Sequence, residues 1–491
     1  MDVSTRKYIE EHLNDDINKL ALSKFPDNID KQFVIRQIQA RQLLKKKLPS
    51  WSESDELLFP RRLSLEQCSS ELTAKYKRAI SRKVAESQSE VTSDTICENL
   101  CQSVVETKKS LPADIHETTH PTICENLCQS VVKTKKLVDL TGGMGVDTAY
   151  LSDNFDETVY VEAQEELCEL ARHNFNVLNK NIKVVNAKAE DYLSQCDNVD
   201  CIFLDPARRD EYGRKMVSLH DCSPDVAELQ DLIFEKSKTL MVKLSPMLDI
   251  DIIKKELKNI KEIHIVAVKN ECKELLVVCQ QTTDNETTGR DASMIHSIKH
   301  IDTSDENEMS RQICISATDL RESWNLTFTD DEEQNASVVY ADVIGKYLYE
   351  PGVACMKAAP FKLLSQRFNI KKLHRNSHLY TSDELVVDFP GRIFEVINVV
   401  NFDKKAKKII ADSCQLSAIS SQSKASTSTG SQFITHSSQP KASVAVRNFP
   451  LSAEELRKQL GFKDGDDFYI FGTTMKGEKK ILILGKRILY N

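Results

Sequence analysis

The sequence predicts an α/β fold built on a parallel, doubly wound sheet, and three observations support this prediction. First, an apolar run ending at Asp139 leads into a turn with glycines at 142, 143 and 145, after which a helix can begin. Second, the next apolar run ends in Glu162, about 20 residues after the glycines, where such a fold carries an acid for ribose hydroxyls. Third, a later apolar run ends in Asp205-Pro206. These polar groups should meet at the carboxyl edge of one sheet.

The other elements are predicted from the spacing of apolar side chains. Apolar side chains recur at helical spacing over residues 5 to about 85, and this pattern predicts a helical N-terminal domain over 1–85. Between 136 and 281 strand and helix patterns alternate, which predicts a Rossmann-like domain. The expected strands are 138–140, 158–161, 182–185, 201–204, 239–243, 263–268 and 275–279, and the expected helices are 165–178, 225–234 and 251–257. The short connection at 269–274 suits a hairpin, so the last strand should run antiparallel.

A duplicated segment lies between these two domains. Residues 95–105 recur 27 positions later at 122–132. Each copy carries Cys-x3-Cys, and four thiols could bind zinc, but the spacing is not Cys-x2-Cys and a duplication produces four cysteines at once. We therefore expect 86–135 to be a loosely held insertion without a metal. A second polar stretch, 413–443, is rich in Ser, Thr and Gln and is expected to be disordered.

Composition limits the choice of partners. The chain has 491 residues and a formal net charge of −8, which argues against nucleic-acid binding by the whole surface. Residues 343–412 nevertheless hold twelve Lys and Arg against seven Asp and Glu, with aromatic side chains between them. The N-terminal helix around 33–47 also carries basic residues, namely Arg36, Arg41, Lys45, Lys46 and Lys47. Either region could contact RNA phosphates or form an ordinary solvated face.

The sequence also bears on location. No apolar run reaches the length of roughly 18 residues that a membrane helix needs, and the first residues lack the apolar core of a signal peptide. We expect a cytoplasmic protein with no membrane contact. The 14 cysteines are scattered through a long chain and are expected to be reduced thiols.

The motifs over about residues 136–281 resemble those of the class I S-adenosylmethionine-dependent methyltransferases. More specifically, they are similar to a bacterial methyltransferase family with a THUMP-like C-terminal domain. The segments that carry this likeness are DLTGGMGVD at 139–147, ARHNF at 171–175, LDPARRDE at 204–211, SPMLD at 245–249 and KNECKELL at 269–276. The resemblance implies a seven-stranded methyltransferase domain at 136–281, a small ferredoxin-like α+β module at 282–342 and a THUMP-like domain at 343–491.

The resemblance implies S-adenosylmethionine as the cofactor. The residues expected to bind it are Asp139, Thr141, Gly142, Gly143, Gly145, Asp147, Glu162, Ala163, Ala189 and Glu190. The glycine turn and Asp139 would hold the methionine part, Glu162 the ribose, and the last two residues the adenine. The family pattern often has an acid after the third strand, where this chain has Lys188, so Glu190 or Asp191 could take the adenine contact.

The expected catalytic residues are Asp205, Pro206, Lys243 and Glu274. They are compatible with two kinds of methyl acceptor, a base amine and a ribose 2′-hydroxyl. Asp205-Pro206 is similar to the D/N-P-P-Y/F/W motif of amino methyltransferases, although 207–208 is Ala-Arg and the stacking ring is missing. Asp205, Lys243 and Glu274 also resemble three members of the Lys-Asp-Lys-Glu set of ribose 2′-O-methyltransferases, with Lys77 as a candidate fourth. Alternatively, Lys243 and Glu274 form a structural ion pair between strands.

The resemblance therefore implies an S-adenosylmethionine-dependent methyltransferase that acts on structured RNA, either tRNA or rRNA, at a base amine or a ribose 2′-hydroxyl. A carbon target is disfavoured because Ser245 stands where a thiol nucleophile would be expected. The competing classes are a methyltransferase of proteins or small molecules and a non-catalytic protein that binds the cofactor or RNA. An intact glycine turn and an intact Asp205-Pro206 favour catalysis.

Overall fold

The structure, a computed structural model, describes residues 1–86, 134–208, 218–281, 312–425 and 441–489. The chain divides into two compact units, which are Met1–Glu262 with Glu274–Glu308 and Ile263–Lys273 with Met309–Asn491. Nearly all of the duplicated insertion at 86–135 lies outside the described residues, so the expectations about its cysteines stay predictions. Within the described residues, no helix has both the length and the apolar composition needed to cross a membrane.

The N-terminal region is helical, as its apolar period predicts. Its helices are Val3–Glu11, Ile17–Leu22, Lys31–Leu44, Pro49–Ser52, Arg62–Gln67 and residues 71–86. The first three begin after Asp2, Asp16 and Asp30, whose carboxylates accept hydrogen bonds from first-turn N–H groups. Ile80 and Val84 of the helix 71–86 pack in one core cluster with Leu137 and Met241 of the sheet. Lys77 lies three residues before Ile80, so the same helix face carries it towards the sheet.

The large sheet has the predicted doubly wound order. Its strands are β1 Lys136–Asp139, β2 Glu157–Glu162, β3 Ile182–Asn186, β4 Val199–Leu204, β7 Ser237–Leu244, β8 Ile260–Val268, β9 Glu271–Gln280, β10 Cys314–Asp319 and β11 Trp324–Thr329. Two short strands that do not belong to this sheet, β5 Ala207–Arg208 and β6 Cys222–Ser223, lie between β4 and β7 in the sequence. The order is β11-β10-β8-β9-β7-β4-β1-β2-β3, while β5 and β6 form a separate hairpin. β1 is parallel to β2 and β4, and β9 is antiparallel to β7. The fold class and the antiparallel last strand are thus confirmed.

Helices connect the parallel strands. They are Val146–Leu151, Glu165–Val177, Ala189–Gln195, Val226–Lys236 and Ile250–Glu256. The central strands are buried on both faces, as parallel strands covered by helices are, with Leu137 and Val138 of β1 and Ile202 and Phe203 of β4 almost fully inaccessible. The carboxyl ends of β1, β2 and β4 therefore meet at one edge.

The sheet has nine strands among the described residues, where the sequence predicts seven. The two additional strands, β10 and β11, form an antiparallel hairpin, and β10 lies next to β8. They fall in the range 282–342 that the resemblance assigns to a separate module. Leu326 and Phe328 of β11 alternate with exposed residues, whereas β10 is buried at every position from Ile315 to Asp319. The pairing of this hairpin with β8 was not visible in the sequence.

The second unit contains another sheet. Its strands are β12 Tyr347–Pro351, β13 Lys371–Lys372, β14 Tyr380–Ser382, β15 Gly391–Asn401, β16 Lys441–Arg447, β17 Lys463–Met475 and β18 Lys479–Arg487, in the order β13-β14-β12-β15-β18-β17-β16. Its helices are Asp330–Asn335, Val353–Ala358, Phe361–Arg367, Ala406–Ala425 and Ala453–Leu460. This mixed α+β architecture agrees with the predicted C-terminal domain class.

The predicted disorder of 413–443 is corrected at both ends. Residues up to Ala425 belong to a helix, and β16 already begins at Lys441. Ala406, Ile410 and Cys414 of the helix are buried in one core cluster. Their spacing of four residues places them on one helix face, and this apolar stripe anchors the helix despite its polar composition. Residues 426–440 lie outside the described part of the chain.

The aromatic residues among the basic residues of 343–412 are only partly available for contact with RNA. Four of them, Tyr349, Tyr380, Phe389 and Phe394, are at most 3% exposed. The ring of Phe389 lies 5.2 Å from that of Tyr349 and 6.2 Å from that of Tyr380. These side chains build the core of the unit, because a large apolar ring gains more free energy there than on a solvated face.

The expected basic face of the helix Lys31–Leu44 is also incorrect. Arg41 is 4% exposed, and its guanidinium donates to the backbone carbonyls of residues 54, 55 and 57 at 3.2, 3.3 and 2.9 Å. The ammonium of Lys47 donates to the carbonyls of residues 65 and 66 at 2.9 and 2.7 Å. Arg36 lies 3.6 Å from Glu166. Of the five basic residues, only Lys45 and Lys46 are exposed, because the others satisfy carbonyls or a carboxylate.

Candidate active site

A cavity of about 690 Å³ opens in the first unit at the carboxyl ends of β1, β2 and β4. All ten residues predicted to bind the cofactor line it, namely Asp139, Thr141, Gly142, Gly143, Gly145, Asp147, Glu162, Ala163, Ala189 and Glu190. Lys188 and Asp191 line it as well. The cavity is large enough for a nucleoside-sized ligand and lies at the edge where doubly wound sheets bind theirs.

The glycine turn is specified by backbone conformation and by close packing. Gly143 and Gly145 have φ angles of 54° and 80°, in the left-handed region that favours glycine. At Gly142 a Cβ atom would lie 2.1 Å from Cε2 of Tyr160. The hydroxyl of Tyr160 donates to the carbonyl of Gly143 at 2.5 Å, so this ring cannot move aside without losing a hydrogen bond. The turn therefore has one defined shape.

Asp139 at the end of β1 is a buried acid under this turn. Its carboxylate accepts hydrogen bonds from the N–H of Thr141 at 3.0 Å and from the hydroxyl of Thr148 at 2.5 Å. Burial raises the pKa of Asp139 to about 7, although these two hydrogen bonds act in the opposite direction. Asp139 thus organises the turn and titrates near neutrality.

Glu162 connects the turn to β2. One carboxylate oxygen accepts from the N–H of Gly143 and the other from the N–H of Gln164, both at 2.9 Å. The amide of Asn186 donates to the carbonyls of Glu162 and Ala163 at 2.9 and 3.0 Å, which holds the ends of β2 and β3 together. A carboxylate has about four acceptor positions, so Glu162 retains two for a ligand in the cavity.

Three of the four expected catalytic residues, Asp205, Lys243 and Glu274, form one cluster with Lys77 and Asp147, and Pro206 has no part in its ion pairs. The ammonium of Lys77 lies 2.6 Å from Glu274 and 3.3 Å from Asp147. The ammonium of Lys243 contacts the carboxylate of Asp205 and lies 3.8 Å from Asp147. Asp147 thus joins two lysine–carboxylate pairs. The sequence analysis assigned Asp147 to the cofactor, and the structure additionally places it between the two lysines.

The members of this cluster differ in their access to the cavity. The side chain of Lys77 is fully buried, that of Lys243 is 12% exposed and that of Asp205 is 35% exposed. Asp205 lines the cavity, whereas Pro206, Lys243, Glu274 and Lys77 do not. The N–H of Asp205 donates to the hydroxyl of Thr141 at 2.6 Å, which ties the end of β4 to the glycine turn. Asp147 also lines the cavity but is 9% exposed, so Asp205 is the more accessible of the two carboxylates that the cluster presents to a ligand.

The charges of the cluster hold Lys243 in its protonated form. Two lysines face the three carboxylates of Asp147, Asp205 and Glu274, so the ionised cluster carries one net negative charge. Burial lowers the pKa of Lys243, but the three carboxylates together raise it above its ordinary value. Burial in turn raises the pKa of Asp147, and the two lysines outweigh this effect and lower it.

Several residues of the site were missed in the sequence. Tyr160 and Thr148 support the glycine turn, and Ser64, Gln67, Cys68 and Ser69 of the N-terminal helices line the cavity. Ser69 is 78 positions from Asp147, to which its hydroxyl donates at 2.7 Å. No local pattern encodes a contact over such a distance. The local signal at this point of the sequence is the pair Ser69-Ser70, which directly precedes the helix 71–86, where serine is a common N-cap residue.

We expect Asp139→Asn to change the pH dependence of stability. Because the pKa of Asp139 is about 7 in the folded chain and 3.8 for an unperturbed aspartate, the folded state keeps a proton that the unfolded state loses, so stability falls as pH rises between these values. Asparagine does not titrate. The stability of the variant relative to wild type should rise by on the order of 2 kcal/mol from pH 5 to pH 8.

Thermal melting at both pH values measures this difference. Asp231→Asn, at an exposed position, serves as the control and should show no such trend. A stability difference for Asp139→Asn that is the same at pH 5 and pH 8 would contradict the raised pKa.

Two family models match segments in the C-terminal part of the chain. A family model described as a ferredoxin-like domain matches residues 347–390, and a model described as THUMP domain-like matches residues 433–487. The first range lies inside 343–491, the segment expected to be THUMP-like, and C-terminal to the range 282–342 expected for the ferredoxin-like module. No curated protein matches the chain.

The chain is similar over its full length to a solved structure. A proposed methyltransferase from Porphyromonas gingivalis W83 is 27% identical, covers 99% of this chain and 98% of its own, and superposes with a TM-score of 0.69. SMU.776, a methyltransferase complexed with SAH, matches 25% of this chain and 34% of its own at 16% identity and a TM-score of 0.21. An S-adenosylmethionine-dependent methyltransferase from Streptococcus mutans matches 33% and 48% at 12% identity and a TM-score of 0.24. The last two partial matches carry no functional argument.

The strand order, the glycine turn with its cavity, the full-length similarity and the THUMP-like match agree with one another. The chain has the strand order of a class I methyltransferase, is similar over its full length to a structure described as a methyltransferase, and carries a THUMP domain-like segment near its C-terminus.

Proposed function

We propose that this protein methylates structured RNA, tRNA or rRNA, and that the acceptor is a ribose 2′-hydroxyl. The observation that carries the proposal is the cluster in which Asp205 and Lys243 stand beside the cavity while Lys77 and Glu274 support them. Its membership and its positions along the fold are those of the Lys-Asp-Lys-Glu set that the sequence resembles. A hydroxyl needs a group that takes its proton, and such a cluster can supply one.

The cofactor residues fit S-adenosylmethionine. In this proposal the glycine turn and Asp139 hold the methionine part, Glu162 holds the ribose with its two remaining acceptor positions, and Ala189 with Glu190 lies against the adenine. When bound, the cofactor would supply a sulfonium methyl group whose carbon the acceptor attacks in line, with the neutral thioether as the leaving group. The protein then has to position the acceptor and manage its proton.

Asp205 and Lys243 divide that task. Asp205 reaches the cavity, accepts a hydrogen bond from the acceptor hydroxyl and passes the released proton to the uncharged form of Lys243, which contacts Asp205 and fixes its orientation. The raised pKa of Lys243 keeps it charged at neutral pH, so only a small fraction is available as a base. Lys77 donates to Glu274 and to the hydroxyl of Ser69, at 2.6 and 3.1 Å, and is a positioning residue because it has no access to the cavity.

A base amine is the second candidate acceptor. The charged state of Lys243 favours it, because an amine attacks with its own lone pair and needs no strong base. Against it stands the lining of the cavity, in which Phe203 is the one aromatic residue among the described lining residues and is only 1% exposed. An extruded base is normally held between rings, so the proposal favours the ribose hydroxyl.

Structured RNA as the substrate rests on the C-terminal domain. Its THUMP-like match supports an RNA role by analogy of fold. Exposed basic residues, among them Lys404, Lys405, Lys407 and Lys408 beside the start of the helix Ala406–Ala425, offer contacts for phosphates. The THUMP-like match and the exposed lysines support an RNA acceptor over a protein or a small molecule.

The first test is transfer of labelled methyl from S-adenosylmethionine to total RNA from cells that lack the protein. We expect label in RNA, and nucleoside analysis should find it on a ribose. Label on a base amine would select the second candidate. Label in an RNA-free protein extract, with none in RNA, would overturn the RNA substrate.

Two substitutions should separate cofactor binding from catalysis. Glu162→Ala removes the acceptors assigned to the ribose, so we expect affinity for S-adenosylhomocysteine to fall about tenfold or more, since hydrogen bonds to a charged group are worth about 1.5–3 kcal/mol. Asp205→Ala should abolish transfer with affinity almost unchanged. Calorimetry with a transfer assay measures both. Equal losses of affinity in the two variants would refute the division of roles.

Lys243→Arg should distinguish the two acceptors. If a ribose hydroxyl reacts, the rate should rise almost tenfold per pH unit from pH 7 to pH 9, because the uncharged fraction of a lysine with a raised pKa grows in that way. Lys243→Arg should then be almost inactive and insensitive to pH, since Arg stays charged. Considerable activity of Lys243→Arg, together with a flat wild-type profile, would indicate an amine.

A further inference from the structure

The N-terminal helices form one wall of the catalytic cavity. Ser64, Gln67, Cys68 and Ser69 line the cavity that also contains the glycine turn and Asp205. They belong to the helix Arg62–Gln67 and to the two residues after it. None of them is needed to hold the cofactor or to move a proton in the proposed reaction. We propose that Ser64 and Gln67 recognise the nucleotide that carries the acceptor, an inference that rests on the proposed RNA function.

This wall is attached firmly to the catalytic cluster. The hydroxyl of Ser69 donates to Asp147 at 2.7 Å and accepts from the ammonium of Lys77 at 3.1 Å. On the opposite side, Lys47 donates to the carbonyls of residues 65 and 66. The wall is therefore fixed relative to Asp147 before a substrate arrives, and a preorganised wall is what selective recognition requires.

The wall offers neutral hydrogen-bonding groups and no charge. Gln67 is exposed and Ser64 is half-buried, and an amide with a hydroxyl can both donate and accept. Burial raises the pKa of the Cys68 thiol, and although Lys47 and Lys243 lower it, the net direction is upward, so the thiol is neutral. Charged side chains of this segment, such as Glu66, do not line the cavity. The wall is thus suited to a polar, uncharged edge.

An unstacked RNA nucleotide presents such an edge. Its base displays paired donors and acceptors, and a glutamine amide can contact two of them at once. Among the described lining residues the one aromatic ring, that of Phe203, is only 1% exposed. A base in the cavity therefore has no ring to stack on, and contacts to its edge have to provide the selectivity. Asp205 lines the same cavity and holds the acceptor hydroxyl in the proposed reaction. Gln67 and Asp205 would then contact the base and the ribose of one nucleotide.

The test compares Gln67→Ala, Gln67→Glu and Ser64→Ala with wild type. We expect kcat/KM on RNA to fall about fivefold to tenfold for each alanine variant, the value of one neutral hydrogen bond. Gln67→Glu keeps the size of the side chain but adds a negative charge beside phosphates, and should lose more. Affinity for S-adenosylhomocysteine should stay within about twofold. Mapping of the methylated positions should show that Gln67→Ala modifies additional sites.

The control is Gln32→Ala, at an exposed position of another N-terminal helix that does not line the cavity. It should match wild type in kcat/KM and in the sites it modifies. Wild-type transfer to RNA with unchanged kcat/KM and sites in all three variants would overturn the recognition role alone. An equal loss of cofactor affinity would also overturn it. No transfer to RNA by the wild-type protein would overturn the proposed function and the nucleotide-reading role with it.

Discussion

The ion pairs around Asp147 are the interaction on which the rest of the site depends. Asp147 lies at the start of the helix that follows the glycine turn, and it meets Lys77 from the N-terminal helices and Lys243 from β7. The carboxylate and Lys77 are almost completely buried, so each charge needs the other. Removing one would leave an uncompensated buried charge. The glycine turn, the lysines and carboxylates of the cluster, and the N-terminal helices are therefore coupled through one carboxylate.

This coupling explains why the N-terminal helices belong to the enzyme's chemistry. The helix 71–86 packs Ile80 and Val84 on the sheet and delivers Lys77 to the strand ends. The preceding segment then reaches the cavity through Ser69. A helical appendage that only covered the sheet would need neither contact. Substrate recognition in such an arrangement can differ between related enzymes while the cofactor turn stays the same.

The balance of charges in the cluster determines how much Lys243 is uncharged and available as a base. A third carboxylate, Asp147, joins a set in which two lysines would otherwise face two acids. The additional charge stabilises protonated Lys243, and a base of raised pKa is scarce at neutral pH. The site thus favours a firmly oriented Asp205 over a reactive lysine, and the pH dependence of transfer reports this choice.

Local sequence patterns already specified the sheet and its antiparallel last strand, and they predicted ten residues that line one cavity, because each depends on period-two alternation, glycine conformation or an acid at a strand end. Patterns also suggested Lys77, Asp205, Lys243 and Glu274 as a set. The tertiary structure decided what depends on contacts between distant residues. It placed Asp147 between the two lysines, Ser64 and Gln67 in the cavity, and β10 beside β8. It also placed Tyr380 and Arg41 in the interior, since burial is a property of the packed chain and not of a local segment.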